Sequence, residues 1–143
     1  MAVTTNYYNN YFEQVMKGVF DHSADTFKCA LTTSTYTFVK THDFFDDITN
    51  EVVGTGYTAG GETLTTLSVT QDDTNDRAVV DFDDVEWTTS TITARSAIFY
   101  KVVGSAATDI LWCEVDFGAD FSSSATTFRI EIDADGFQAL DAA

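Results

Sequence analysis

The stretch that decides the fold is TITARSAIFYKVV at residues 91–103, in which β-branched and aromatic side chains recur in alternation. A second run of the same character, ILWCEVDF at residues 110–117, follows the turn-favouring segment GSAA at residues 104–107. Alternation with a period of two is typical of a strand whose two faces meet different surroundings. These residues therefore predict two β-strands separated by a turn.

Shorter runs of the same kind continue this pattern along the chain. They lie at residues 26–32, 64–70, 78–82, 85–87 and 126–132. The segments between them, such as QDDTND at residues 71–76 and GAD at residues 118–120, consist mostly of residues that favour turns. Regular short strands separated in this way predict a mainly β fold, an antiparallel β-sandwich or open barrel. Since no linker or repeat interrupts the pattern, we predict one β-rich domain over residues 1–143.

The N-terminal segment has a different periodicity. Between residues 9 and 20 the apolar side chains fall at helical spacing, with polar residues between them. This pattern predicts one amphipathic helix, so that residues 1–20 form an N-terminal helical arm on the β body. We also predict a helical turn at residues 41–48 and an apolar C-terminal end, residues 137–143, that folds back onto the sheet.

The charge balance narrows the class of partner. The chain carries 23 Asp and Glu against 7 Lys and Arg, a formal net charge of -16. Binding to nucleic acid depends on a basic face that displaces counterions, so we expect no nucleic-acid partner. No run of 18 apolar residues and no signal-peptide pattern occurs in the sequence, so we expect neither a membrane span nor a signal peptide.

The cysteines and histidines do not form a recognisable reactive or metal-binding motif. Cys29 and Cys113 each lie inside an apolar strand-like run, which predicts two buried thiols, with a disulfide between them as the alternative. His22 and His42 lack a neighbouring nucleophile arrangement, so we interpret them as loop histidines. Two thiols and two imidazoles at these spacings do not predict a zinc site.

Two acidic turns, at residues 72–76 and 133–136, offer oxygen ligands for calcium. Neither completes an EF-hand loop, so we interpret both as solvated turns, with calcium binding as the alternative, and predict no metal and no cofactor. The glycine-rich segment at residues 54–61 lacks the Lys-Ser/Thr pair of a phosphate loop. Its glycines instead predict a tightly bent surface loop, which Tyr57 anchors to the body of the protein.

The carboxylates alone do not predict an active site. Asp81, Asp83 and Asp84 alternate with apolar residues, as on a strand with one solvated face. We assign no catalytic residue and predict that the protein is not an enzyme. A hydrolase that uses carboxylates assembled from distant positions stays as an alternative, since one sequence does not exclude it.

An aromatic cluster near the N-terminus is the main candidate for contact with a partner. It contains Tyr7, Tyr8, Tyr11 and Phe12, more aromatic side chains than one helical core stripe requires. Tyrosine and phenylalanine are enriched in interface cores, so we predict partner contacts by these four residues and by Tyr57. The alternative, given equal weight, is that the cluster covers the end of the sheet.

Four segments, at residues 27–34, 50–61, 87–95 and 115–118, together resemble a family of small structural proteins of tailed bacteriophages. The resemblance implies a virion protein without a catalytic centre, made in the host cytoplasm and placed on the capsid exterior. Such a decoration or cement protein would bind the major capsid protein and stabilise the head. It implies no small-molecule substrate.

Repeated capsid sites favour repeated partners, so we expect self-association, with a trimer as the specific prediction. The alternative function is a host-recognition module on the tail or a head fibre. That function would place recognition in the loop at residues 54–61 and the turn at residues 72–76.

Overall fold

The computed structural model describes residues 2–142, which form ten β-strands, one α-helix and one short 3₁₀ helix. The strands are β1 (Thr4–Tyr7), β2 (Phe27–Thr32), β3 (Glu62–Thr63), β4 (Ser68–Asp72), β5 (Arg77–Asp81), β6 (Val85–Ser90), β7 (Thr93–Lys101), β8 (Ile110–Ser122), β9 (Thr126–Ile130) and β10 (Gln138–Asp141). Helix α1 spans Asn9–Met16, and the 3₁₀ helix spans Phe45–Asp47.

The strands form three antiparallel sheets. A five-stranded sheet has the order β1-β8-β7-β2-β3, a three-stranded sheet the order β10-β5-β4, and β6 pairs with β9. β7 and β8, which contain the two runs that decided the fold, pair with each other at the centre of the largest sheet. The predicted mainly β, antiparallel fold with one helix near the N-terminus is therefore confirmed, and the arrangement is that of a β-sandwich.

One face of the five-stranded sheet, here called the inner face, packs against the two smaller sheets. Its buried side chains include Phe27, Leu31, Phe99 and Trp112, and those facing them include Val80, Phe82, Trp87 and Phe128. Fully burying a side chain of this size contributes about 1.5–3 kcal/mol. This cluster is the main core of the protein.

The opposite face, here called the outer face, is covered by the irregular segment at residues 33–50. Tyr36 and Phe45 of that segment pack on a buried cluster that includes Tyr8, Ile98 and Tyr100. The rings of Phe45 and Tyr100 stack with their centroids 4.1 Å apart. The five-stranded sheet is thus buried on both faces, although strands cover only one of them.

Two elements at the termini differ from the sequence prediction. Residues 4–7, predicted as part of a helical arm, form β1, which pairs with β8 from Thr4 opposite Asp116 to Tyr7 opposite Cys113. Helix α1 ends at Met16 and not at residue 20, because Gly18 has a φ of 72° that a helix does not accept. The C-terminal end folds back as predicted, where β10 pairs with β5.

Two strand boundaries were also predicted wrongly. The run at residues 64–70 is strand only from Ser68, where β4 begins, because residues 64–67 lie between β3 and β4. The GAD segment at residues 118–120, predicted as a turn, lies inside β8. Gly118 has a φ of 77°, and the pairing of β8 with β7 shifts register at this point. A bulge therefore accommodates residues that by composition resemble a turn.

Candidate partner-binding surface

Helix α1 is anchored through two tyrosines, one just before it and one within it, which enter different cores. Tyr8, just before the helix, is 0% exposed in the outer-face cluster, and Tyr11 is 2% exposed in the inner-face cluster. The Tyr8 hydroxyl lies 2.9 Å from that of Tyr36, and the Tyr11 hydroxyl donates to Gln138 Oε1 at 3.1 Å. The helix is therefore attached to both faces of the sheet.

This anchoring corrects the predicted contact residues. Tyr8 and Tyr11 have almost no surface left for a partner, because burying them completes the protein's own core. Tyr7 is half-buried and stacks on the Tyr11 ring with centroids 5.8 Å apart. For these residues the alternative interpretation, that the cluster covers the end of the sheet, describes the structure. Within the N-terminal cluster, the residues that still have surface for a partner are Phe12 and, in part, Tyr7.

Phe12 belongs to an apolar surface that the sequence analysis did not single out. It is 45% exposed, Met16 one helical turn later is 82% exposed, and Val19 just past the helix is 42% exposed. We call these three residues the helix patch. Single exposed apolar residues are ordinary, whereas a group of them close together in the chain is a candidate contact surface. Helical spacing alone does not tell which apolar side of α1 faces the core.

A polar network ties the helix to the C-terminal strand. Gln138 Oε1 accepts from the Tyr11 hydroxyl and from Trp112 Nε1, the latter at 2.9 Å. Tyr11 also lies 3.1 Å from His22 Nε2. His22 lies in the turn between α1 and β2, as predicted, but its ring packs among the aromatic rings of this core, and burial lowers its pKa. The network holds α1 in a fixed position.

The outer face contains a buried carboxylate. Glu114 in β8 is 5% exposed and accepts a hydrogen bond from Asn6 Nδ2 at 2.9 Å. Burial raises the pKa of this carboxyl group, since the charged form loses its hydration. Its neighbours on this face include the buried hydroxyl pair of Thr32 and Ser96, whose oxygens lie 2.6 Å apart. Glu114 thus joins β8 to β1, and the hydroxyl pair joins β2 to β7.

The glycine-rich loop at residues 54–61 is fixed to the sheet. The Tyr57 hydroxyl donates to Glu51 Oε1 at 2.7 Å and accepts from the Leu31 backbone N–H at 2.9 Å. A Cβ at Gly61 would lie 1.8 Å from the Cys29 carbonyl oxygen, so no other residue fits there. The predicted anchoring role of Tyr57 is confirmed. Because its hydroxyl is already used within the chain, partner contact by Tyr57 would involve only the exposed part of its ring.

The acidic positions make hydrogen bonds within the chain. Asp72 Oδ2 accepts from Arg77 Nε at 3.0 Å, and the Asp133 carboxylate accepts from the Asp135 backbone N–H at 2.9 Å. Asp81 and Asp84 likewise accept from backbone N–H groups. Within residues 2–142, no three His, Cys, Asp or Glu side chains are grouped so as to hold a metal ion.

The two cysteines are buried free thiols, as predicted. Cys29 of β2 and Cys113 of β8 both lie opposite Phe99 of the strand between them. Two strand spacings of about 4.8 Å separate them, and a disulfide requires Cα atoms closer than about 7 Å. The alternative of a disulfide is therefore wrong for this fold, and burial raises the pKa of both thiols.

Comparisons with protein-family models, with curated proteins and with solved structures found no match for this chain. Among residues 2–142, neither helix is long and apolar enough to cross a membrane.

Proposed function

We propose that this chain is a non-enzymatic structural protein of a virus particle, a capsid decoration protein that binds the major capsid protein from outside and stabilises the head. The helix patch is the observation that carries this proposal. It presents Phe12 and Met16 of α1, with Val19 just past the helix, on a segment that Tyr8 and Tyr11 fix in the two cores. The resemblance to phage structural proteins supplies the class of partner.

The helix patch is held in place by the two cores behind it. A surface that is already ordered loses little conformational entropy on binding, so more of the contact energy appears as affinity. Fully burying an exposed large apolar side chain contributes about 1.5–3 kcal/mol, and Phe12 and Val19, which are already more than half buried, contribute a fraction of that. A decoration protein meets many identical sites, so a patch of three such residues is enough when self-association links several copies. The predicted trimer would supply that linkage.

The test is co-sedimentation of the purified protein with capsids that lack it. Deleting residues 1–11 would remove Tyr8 and Tyr11 from the cores, so point substitutions at the surface are the sharper test. We expect Phe12→Ser with Met16→Ser to weaken capsid binding at least tenfold, which corresponds to about 1.4 kcal/mol. The parent chain should saturate the capsid at a ratio set by the lattice.

A matched control is Val69→Ser with Val103→Ser, since these residues are 47% and 55% exposed outside the helix patch. The control should pellet with capsids like the parent. Equal loss in both variants would contradict a role for the helix patch. No binding by the parent would contradict the capsid function and would favour the host-recognition alternative, which uses the loop at residues 54–61 and the turn at residues 72–76.

A further inference from the structure

An apolar groove of about 550 Å³ lies between β8 and β9. Phe117 and Phe121 of β8 line one side, and residues 127–131 in and after β9 line the other. Val3, next to β1, also lines it. Phe121 is 54% and Val3 64% exposed, so apolar surface remains open to solvent here. The groove is separate from the helix patch and from the polar network behind it.

The groove is bounded by two strand edges without partners. β1 pairs with β8 only up to Asp116, whereas β8 extends to Ser122. On the β1 side of β8, residues 117–122 therefore have no strand beside them in the described chain. β9 pairs with β6 on one side, and no described strand pairs with its other side. Residues 127–131, in and after β9, all line the groove, although successive side chains of a strand point to opposite faces. The groove therefore meets β9 edge-on.

These edges favour an extended chain as the occupant. An unpaired strand edge presents backbone N–H and C=O groups that a further strand satisfies, and pockets beside it receive every second side chain. A compact apolar ligand would use the pocket but leave the backbone groups without partners. The geometry therefore favours a β-strand from a partner.

The charges around the groove favour one kind of partner strand over another. Arg129, the one cationic side chain among the lining residues, is already paired with Glu86 at 2.6 Å. Glu131 in the same lining has no cation within ion-pair distance in the described part of the chain. The whole chain carries a net charge of -16, which attracts a basic segment more strongly than a neutral or acidic one. A strand with lysine or arginine side chains is favoured.

We propose that the groove binds an extended partner segment in which apolar and basic side chains alternate, and that this segment adds a strand at the free edges of β8 and β9. Its apolar side chains fill the space between Phe117, Phe121 and Phe128, and its basic side chains lie near Glu131. This inference goes beyond the proposed function, because it assigns a second surface and does not depend on a capsid.

The experiment uses the full chain and a synthetic peptide of alternating lysine and valine, eight residues long. We expect saturable binding, measured by NMR titration, with slowed amide hydrogen exchange at residues 117–122 and 127–131. A glutamate–valine peptide and a lysine–valine peptide interrupted by proline should each bind at least tenfold more weakly. The first tests the charge argument, and the second tests backbone pairing.

The matched variants are Phe121→Ser and Val103→Ser, whose parent side chains are 54% and 55% exposed. The first should weaken peptide binding at least fivefold, and the second should leave it unchanged, with circular dichroism checking that both are folded. Equal binding of the two charged peptides, or protection outside the groove, would overturn the proposal. So would dimerisation that protects the same amides in the absence of peptide. Because no capsid is used, this test and the co-sedimentation test can fail separately.

Discussion

The two faces of the five-stranded sheet are buried to a similar degree but are stabilised differently. The inner face is packed with aromatic and aliphatic side chains around Trp112, and strands of the smaller sheets cover it. The outer face mixes apolar residues such as Ile98 with buried polar groups, including Glu114 and the Thr32–Ser96 pair. An irregular segment covers it. The inner face is therefore stabilised mainly by apolar packing, and the outer face depends in addition on hydrogen bonds that satisfy its buried polar groups.

The largest expected effect is on the inner face. Trp112 is 0% exposed, and its ring lies within 5.1–6.0 Å of those of Phe27, Phe99 and Phe137. We expect Trp112→Ala to lower the free energy of unfolding by about 3–5 kcal/mol, because it opens a cavity that the sheets do not fill. Urea unfolding followed by circular dichroism measures this.

Trp87→Phe is the control for the indole N–H. Trp87 is 1% exposed, and its Nε1 has no hydrogen-bond partner among the described residues. Trp112→Phe leaves Gln138 without one of its donors and should therefore cost more than Trp87→Phe. Equal costs would show that the network around Gln138 adds nothing to the packing.

The second largest loss of stability is expected on the outer face, where two buried hydroxyl groups form a hydrogen-bonded pair. Thr32 and Ser96 are 0% and 2% exposed, and their hydroxyl oxygens are 2.6 Å apart. We expect Thr32→Val to cost about 1 kcal/mol, because the buried Ser96 hydroxyl loses its bond to Thr32 and is left with Glu114 alone. The double variant with Ser96→Ala should recover part of that loss, so the two costs are not additive. Additive costs in urea unfolding would contradict this account.

The smallest effects are on pH dependence, and they have opposite signs on the two faces. Burial raises the Glu114 pKa, so this group destabilises the fold as pH rises through that pKa. Burial lowers the His22 pKa, so the unfolded chain takes up the proton first and stability falls as pH drops below about 6.5, the ordinary histidine value. We expect the stability of Glu114→Gln relative to the parent to increase toward higher pH. The stability of His22→Phe relative to the parent should increase toward lower pH.

Urea midpoints of the parent and both variants at pH 5, 6 and 8 measure these differences. Taking each variant against the parent at the same pH removes the contributions of the other carboxylates. A difference that does not change with pH would mean that the group titrates alike in the folded and unfolded chain. Two differences of the same sign would contradict the contrast between the faces.

Most strands could be predicted, because their alternation is local and is enforced by burial on one or both faces. β7 and β8 follow directly from residues 91–103 and 110–117. β1 could not, since Thr4–Tyr7 is strand only because the edge of β8 offers backbone partners. Gly118 misled the prediction because a bulge and a turn favour the same residue.

The candidate surface was predicted only in part. Phe12 was among the aromatic residues assigned to partner contact, but composition gave no way to separate it from Tyr8 and Tyr11. Those two are buried because they meet residues far away in the chain, Tyr36 and Gln138. Met16 and Val19 carried no signal as contact residues, since helical spacing assigned them to the core stripe.

The sequence by itself determined the mainly β class, the positions of most strands, the start of the helix and the burial of both thiols. These follow from side-chain periodicity, which a strand or helix requires before it meets any neighbour. Only the tertiary structure decided which side of α1 is exposed, what covers the outer face and where two strand edges are left without partners. These depend on contacts between distant segments, and packing selects them from several local patterns that are equally acceptable.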